Sequence, residues 1–190
     1  AEMLAGAKDQ WAGTLVFVGQ PAEELGEGAK RMLDDGLFDK VPKPSHAIAL
    51  HCDAEIAHGD IGYTEGYALA NVDEVDIVVK GRGGHGAHPH ATIDPVVIAA
   101  RTVIDLQTIV SRTLDPLSSG VLSVTRIHGG EAYNVIPDRV ELAGTVRYFD
   151  DGVRATIERR MHEVCEGVAR SSGARIEFDF LPGYPPTINS

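Results

Sequence analysis

Two adjacent carboxylates, Glu23 and Glu24, follow a short apolar run that ends in Gly19 and Pro21. Two negative charges held together at the end of a buried strand repel each other unless a cation or a shared proton relieves them. One carboxylate could bind a metal ion while the other acts as a general base on water. Alternatively, the pair begins the helix that follows, because acidic residues favour the positive end of the helix dipole.

Histidines supply a second set of candidates. His51 ends another short apolar run, and a neutral imidazole with a carboxylate oxygen is a donor set that suits zinc, manganese or cobalt. A lone histidine at a strand end is more often structural, but its pairing with Glu24 across adjacent strand ends favours a metal site. The sequence indicates that the neighbouring Cys52 is a small buried hydrophobe rather than a ligand.

The loop GRGGHGAHPHATIDP carries three more histidines, of which His85 is the strongest candidate. Its glycine neighbours permit an unusual backbone that would expose the imidazole. The alternatives are a glycine-rich surface turn with incidental histidines, or a weak adventitious metal site. His88 and His90 are weaker candidates, and one of them is expected to stabilise the loop.

Composition limits the partners. The 190 residues carry a formal net charge of -11 with 43% hydrophobic residues, which is typical of one ordinary domain or two small ones. An acidic surface argues against nucleic acid and anionic membranes as partners, and no apolar run of about 18 residues is present. Cys52 and Cys165 are far apart in the chain and not in a metal-type spacing, which favours a reducing compartment and predicts a cytoplasmic location.

The elements that position the first candidates are predicted to be α/β. Residues 14–18 and 47–50 are short apolar runs that predict buried strands, with a helix over residues 25–35 between them and another over residues 1–10. Strands buried on both faces belong to parallel sheets, which bind ligands beyond their carboxyl ends. Glu23, Glu24 and His51 follow these ends, so a partial parallel-sheet layer is predicted over residues 1–70.

The second half predicts a different layer. Its elements follow the order strand, helix, strand, strand, helix, strand, which is the ferredoxin-like βαββαβ pattern: a four-stranded antiparallel sheet with two helices on one face. The predicted strands cover residues 72–79, 121–128, 140–149 and 175–180, and the helices residues 96–110 and 152–171. We therefore predict a domain over residues 71–182, with residues 183–190 beginning a return to the first domain.

Four segments, in their order and spacing, resemble the co-catalytic metallopeptidases and amidohydrolases that include aminoacylases, hippurate hydrolases and plant auxin-conjugate hydrolases. They are QPAEE at 20–24, LH at 50–51 with a strand from 59, GGHGAHPH at 83–90 with DP at 94–95, and GGEAYNVIPD at 129–138, with GTVR at 144–147 completing the set. The resemblance implies hydrolysis of the amide bond of N-acyl amino acids or small peptides, a small-molecule substrate and two divalent metal ions.

The resemblance also assigns roles in the first half of the chain. Glu23 matches the family's general base, which activates the attacking water. Glu24 and His51 match metal ligands, the latter at the end of a neighbouring strand. The metals would be zinc, manganese or cobalt.

In the second half, the resemblance implies a lid that also forms a homodimer. His85 matches the histidine that reaches the partner subunit's active site and polarises the scissile carbonyl. Asn134 and Arg147 match residues that hold the substrate carboxylate. From the residues alone, the segment around Asn134 could be a turn before a strand, and Arg147 an exposed strand residue.

The chain departs from the family in two places. No residue before Glu23 supplies the family's N-terminal ligand motif, and the final histidine ligand lies beyond the lid. We therefore expect a fragment, part of a catalytic domain plus the lid, that is inactive alone, and whether it binds metal is left open by the sequence. The alternatives are a non-catalytic dimerisation or ligand-binding module, and a ferredoxin-like regulatory domain that senses amino acids, which leaves QPAEE unexplained.

The helix predicted over residues 96–110 is two-sided. An open sheet edge tends to pair, and the same surface on both copies would form a two-fold interface. One side of the helix is expected to cover the sheet while the other meets a second copy. One stripe comprises Val97, Arg101, Ile104 and Thr108, and Ile98, Thr102 and Leu106 lie towards another side. The alternative is a monomer whose helix has a wide core-facing stripe.

Overall fold

The computed structural model describes residues 2–190 and divides the chain into two compact units, Ala1–Gly62 and Tyr63–Ser190. Residues 63–70 and 183–190, which the sequence pattern assigns to the first domain and to a return segment, lie within the second unit. There they contribute two short strands that pair with each other. The second unit therefore includes the segments that immediately precede and follow the ferredoxin-like core. No helix among residues 2–190 combines the length and the apolar character needed to cross a membrane.

The first unit consists of short helices joined by irregular backbone. Helix α1 spans Glu2–Gly6, α2 spans Gly28–Asp34 and α3 spans Leu37–Lys40, with 3-10 turns at Lys8–Gln10 and Glu23–Leu25. The predicted helices over residues 1–10 and 25–35 are therefore shorter in the structure, and Ala1 lies outside the described residues. Among residues 2–62 there is no β-strand.

The predicted parallel layer does not form in this unit, and the exposure of its apolar residues gives the reason. Residues 14–18 and 47–50 run as unpaired backbone, with Phe17 80% and Ile48 91% exposed. A strand buried on both faces needs hydrogen-bonding neighbours at its edges and helices on its faces. The first unit brings neither to these segments, so the apolar composition that predicted the strands remains without a core.

The second unit confirms the predicted four-stranded antiparallel sheet. Its elements are β1 (Gly66–Leu69), β2 (Val72–Lys80), β3 (Gly84–His85), α4 (Pro95–Arg112), β4 (Gly120–His128), β5 (Val135–Ile136), β6 (Arg139–Tyr148), α5 (Asp151–Ser172), β7 (Arg175–Tyr184) and β8 (Thr187–Asn189). The central sheet has the strand order β4-β6-β2-β7, with every neighbouring pair antiparallel. Two short pairs, β1 with β8 and β3 with β5, lie outside it.

The core of this unit lies between the sheet and the two helices. Alternate side chains of β2 are buried, and both helices bury one stripe against the sheet. Each helix begins at an aspartate whose carboxylate accepts backbone N–H groups of the first turn: Asp94 from Val96 at 2.9 Å, and Asp150 from Gly152 at 2.8 Å. The largest fully buried apolar side chains are Val75, Ile77, Val79, Leu106, Ile109, Val140, Leu142, Val146, Ile157 and Met161.

A buried carboxylate, Asp73, ties together the strands by which the chain enters and leaves the sheet. Asp73 is 2% exposed; its Oδ2 accepts the Tyr148 hydroxyl at 2.7 Å and its Oδ1 the Gly183 N–H at 3.0 Å. The guanidinium of Arg154 on α5 lies 3.4 Å from the same carboxylate and supplies its counter-charge. Burial, followed by the hydrogen bond to Asp73, raises the pKa of Tyr148.

We predict that Tyr148→Phe lowers the free energy of unfolding by about 1–2 kcal/mol at pH 7, because Asp73 loses a buried hydrogen-bond donor. The folded protein also holds the Tyr148 proton more tightly than the unfolded chain, where a tyrosine ionises near pH ~10. The contribution of Tyr148 to the free energy of unfolding is therefore fully present below this pH and is lost as the pH rises above it. The variant has no such contribution, so its free energy of unfolding should fall less at alkaline pH than that of the wild type.

Urea denaturation at neutral and alkaline pH measures both effects. Tyr133→Phe, which removes a fully exposed phenol, is the matched control and should behave as the wild type. If Tyr148→Phe shows the same alkaline loss of stability as the wild type, Tyr148 does not hold its proton in the way described.

Candidate active site

The two adjacent carboxylates lie in an exposed turn of their own. Glu23 and Glu24 belong to the 3-10 turn Glu23–Leu25, which is flanked by left-handed residues, Ala22 with a φ of 51° and Gly26 with a φ of 68°. The N–H of Gly26 closes the turn on the Glu23 carbonyl at 2.8 Å. Helix α2 begins only at Gly28, so the pair does not occupy its first turn.

His51 has the hydrogen bond expected of a metal-binding histidine. Its Nδ1 lies 2.6 Å from the Cys52 carbonyl oxygen, so in the neutral imidazole the proton is on Nδ1 and Nε2 has the lone pair. Ligating histidines are oriented in this manner, and Glu24 offers the carboxylate oxygen that such a metal also accepts. Cys52 is exposed, so the expectation that it is a buried hydrophobe is wrong.

The chemistry of these two donors fits a divalent metal, but their number does not complete a site. Within residues 2–190 there is no group of three or more His, Cys, Asp and Glu side chains arranged to hold a metal ion. A metal bound by Glu24 and His51 would therefore need further donors.

The pairing of two short strands, β3 and β5, brings His85 close to Asn134. In the β3–β5 pair, His85 lies opposite Val135, and the N–H of Gly86 donates to the Asn134 carbonyl at 2.7 Å. Residues 81–91, which we call the histidine loop, are thus joined to the segment that precedes β6. Two candidates far apart in the sequence meet at one end of the second unit.

The tautomer of His85 suits a hydrogen-bond donor. Its Nδ1 accepts the N–H of Ala87 at 3.0 Å, so in the neutral imidazole the proton is on Nε2. The side chain is exposed, and its Nε2–H is available to a carbonyl oxygen or an oxyanion. The rings of His88 and His90 follow in edge-to-face contacts, with centroid distances of 5.4 Å between His85 and His88 and 6.0 Å between His88 and His90.

Arg147 lies at the opposite end of the sheet. Its guanidinium donates to the Val146 carbonyl at 3.1 Å and to the Thr145 hydroxyl. Strand β6 leaves the histidine-loop end at Arg139, which lies opposite Lys80, and runs away from it. At about 3.4 Å per residue, the stretch of β6 from Arg139 to Arg147 spans roughly 27 Å. The lid residues predicted from the sequence therefore form two separate groups within one chain, His85 with Asn134 at one end of the sheet and Arg147 at the other.

One residue beside the histidine loop has no role in the sequence-based interpretation. The Oδ1 atom of Asp138 accepts the N–H of Gly83 at 2.8 Å. The only signal in the sequence is its place at the end of GGEAYNVIPD, since no spacing rule connects it to a glycine 55 residues earlier.

Comparison with known proteins agrees with this architecture. The profile of the M20 peptidase dimerisation domain matches residues 67–172, which is more than half of the chain. The chain belongs to the M20 peptidase family. The resemblance inferred from QPAEE, the histidine loop and the segment ending at Asp138 is thereby confirmed.

Three curated relatives align with the whole chain. An N-acyl-L-amino acid amidohydrolase of Geobacillus stearothermophilus is 42% identical over 190 residues, covering 100% of this chain and 50% of the relative. An N-acetylcysteine deacetylase of Bacillus subtilis is 38% identical over 189 residues, covering 100% and 49%. An IAA-amino acid hydrolase ILR1-like 4 of Arabidopsis thaliana is 37% identical over 193 residues, covering 100% and 43%. The chain spans about half the length of the curated relatives it matches.

Solved structures share the fold. A protein from methicillin-resistant Staphylococcus aureus superposes with a TM-score of 0.85 at 35% identity, over 100% of this chain and 50% of that one. YXEP of Bacillus subtilis, described as a dinuclear metal binding peptidase, superposes with a TM-score of 0.72 at 34% identity, over 99% and 46%.

We predict that Gly83→Ala lowers the free energy of unfolding by about 1–3 kcal/mol and disturbs the histidine loop. A Cβ at this position would lie 2.4 Å from the Ile136 carbonyl oxygen, so one backbone must move. Gly167→Ala in helix α5 is the control, because its Cβ would meet no atom within 4 Å. The control should gain up to about 1 kcal/mol from helix propensity. Chemical denaturation of both variants tests this, and a neutral Gly83→Ala would show that the loop is not closely packed.

Proposed function

We propose that the whole protein is a metal-dependent amidohydrolase that cleaves the amide bond of N-acyl amino acids or small peptides. The observation that carries this proposal is the exposed Nε2–H of His85, which the Ala87 N–H fixes as a donor next to Asn134. A preorganised donor of this kind stabilises the negative charge that develops on an amide oxygen during hydrolysis. The relatives support the substrate class, because those named above are N-acyl or amino-acid-conjugate hydrolases.

We assign Glu24 and His51 as ligands in a site for two divalent ions, which would be zinc, manganese or cobalt. The dinuclear metal binding described for YXEP supports this number. Metal ions bound there would polarise the amide carbonyl and lower the pKa of water. Glu23, exposed beside Glu24 in the same turn, would take the proton of the attacking water and return it to the leaving amine.

The separation of the lid residues supports the proposal of a site shared by two subunits. Within one chain, the β6 strand holds Arg147 roughly 27 Å from the end of the sheet where His85 and Asn134 lie. A small amino acid derivative cannot span that distance. In our proposal, Arg147 of one subunit and His85 of the other act on one substrate, and the Arg147 guanidinium binds its carboxylate.

The surface of the second unit offers an interface for such a homodimer. On helix α4, Val97 is 65% and Ile104 68% exposed, although the opposite stripe of the same helix is buried in the core. Strand β4 is an edge of the central sheet, so its outer N–H and C=O groups are available for pairing. The family profile that matches this region is that of a dimerisation domain.

A second candidate is a dimerisation and ligand-binding module without turnover. The observation that favours it is the lack of three metal donors in one place among residues 2–190. For either candidate we place the protein in the cytoplasm, because an exposed free thiol such as that of Cys52 persists best in a reducing compartment.

We predict that Glu23→Gln in the whole protein lowers kcat by about 10²–10⁴-fold while the metal content is unchanged, because the general base is lost. Glu27→Gln is the control: this carboxylate lies four residues later in the chain and pairs with Arg31. Turnover of an N-acyl amino acid and metal analysis of the purified variants are the measurements. Loss of metal from Glu23→Gln would mean that Glu23, not Glu24, is the ligand, and an unchanged kcat would remove Glu23 from the mechanism.

We predict that the 190-residue chain is a dimer at micromolar concentration, with a mass twice the 20.3 kDa of one chain. Ile104→Glu should yield a monomer, because it buries a charge in the proposed interface without touching the core. Ala155→Glu, on the exposed face of helix α5, should leave the dimer intact. Sedimentation equilibrium measures all three masses, and a monomeric wild type would contradict the shared site.

A further inference from the structure

We infer that Asp138 is a positioning residue, which fixes the direction in which the histidine loop presents the Nε2–H of His85. This inference rests on the proposed function of His85. Asp138 does not contact the imidazole; it acts through the backbone of Gly83, whose N–H donates to its Oδ1 at 2.8 Å. Gly83 is two residues before His85, so its orientation sets how the chain enters β3.

The histidine loop is held from both sides by alternate N–H groups. The backbone carbonyl of Asp138 accepts the N–H of Gly81 at 2.8 Å, while its carboxylate accepts that of Gly83. The N–H of Arg82, between them, points the other way and donates to the Ile93 carbonyl at 2.9 Å. Asp138 therefore supplies both anchors on one side, one from its backbone and one from its side chain.

The anchor also depends on close backbone approach. A Cβ on Gly83 would lie 2.4 Å from the Ile136 carbonyl, so the loop packs against the segment before β6 without an intervening side chain. In this arrangement a carboxylate with a single methylene reaches the Gly83 N–H.

We expect removal of the Asp138 side chain to change the geometry of the histidine loop more than the free energy of unfolding. Asp138 and the histidine loop beside it are largely exposed, so water can satisfy the Gly83 N–H in an Asp138→Ala variant. The variant should lose the fixed backbone orientation at Gly83, and the position of the His85 Nε2–H should change as a result. A misplacement of about 1 Å at a reacting group can cost about 10²-fold in rate.

The kinetic test uses the whole protein with its metals and an N-acetyl amino acid as substrate. Asp138→Ala should lower kcat by about 10–100-fold with KM within about two-fold, because the donor acts mainly in the transition state. Asp138→Asn, which keeps an acceptor oxygen in the same place, should retain at least about a third of wild-type kcat. Glu131→Ala, which removes an exposed carboxylate from the same segment, is the control and should leave kcat unchanged.

A second readout does not depend on activity. In the 190-residue chain, Asp138→Ala should speed hydrogen exchange of the Gly83 amide by about 10-fold or more and shift the ¹⁵N resonances of the His85 ring. Asp138→Asn and Glu131→Ala should do neither.

Wild-type kcat or wild-type exchange in Asp138→Ala overturns the inference. An Asp138→Asn variant that is as slow as Asp138→Ala also overturns it, because the effect would then come from the charge of Asp138. If the wild-type whole protein hydrolyses no N-acyl amino acid, the proposed function fails, and the exchange and ¹⁵N measurements alone decide whether Asp138 positions His85.

Discussion

The unbroken register between β2 and β6 determines where the chemistry of the second unit lies. The two strands pair from Asp73 opposite Val146 to Lys80 opposite Arg139 without a bulge. One end of this ladder carries the Asp73–Tyr148 hydrogen bond and Arg147, and the other leads into the histidine loop and Asp138. A slip of one residue would turn every side chain of a strand to the opposite face, which the buried alternate residues of β2 forbid. The separation between Arg147 and His85 is thus fixed by the core.

The sequence predicted the second unit well because its elements complete one another within the chain. The apolar alternation of β2 and the stripes of α4 and α5 are satisfied by contacts inside the unit, so local pattern and final structure agree. Residues 14–18 show the opposite case, since their pattern requires sheet neighbours that the first unit does not supply. An apolar run indicates that burial is needed, but it does not identify the partner.

The candidate residues differ in the same way. His85 was identifiable from its glycine-rich surroundings, and Glu24 and His51 from their donor chemistry. The proximity of His85 to Asn134 depends on two-residue strands, β3 and β5, which are too short to leave a periodic signal. The tautomer of His85 depends on a single backbone N–H, that of Ala87, and Asp138 acts through a long-range contact to a glycine. Such features follow from backbone geometry and could not be read from residue types.

The position of the two ends of the ferredoxin-like core has a consequence for how such a domain is acquired. Val72, where the chain enters the central sheet, lies opposite Tyr184, where it leaves, and Asp73 joins the two strands through the Gly183 N–H. A domain whose ends adjoin can be inserted into a surface loop of another protein without stretching that loop. Recombination could therefore transfer this core as one unit from one protein to another. The hydrogen bond between Asp73 and the Gly183 N–H would keep its two ends together.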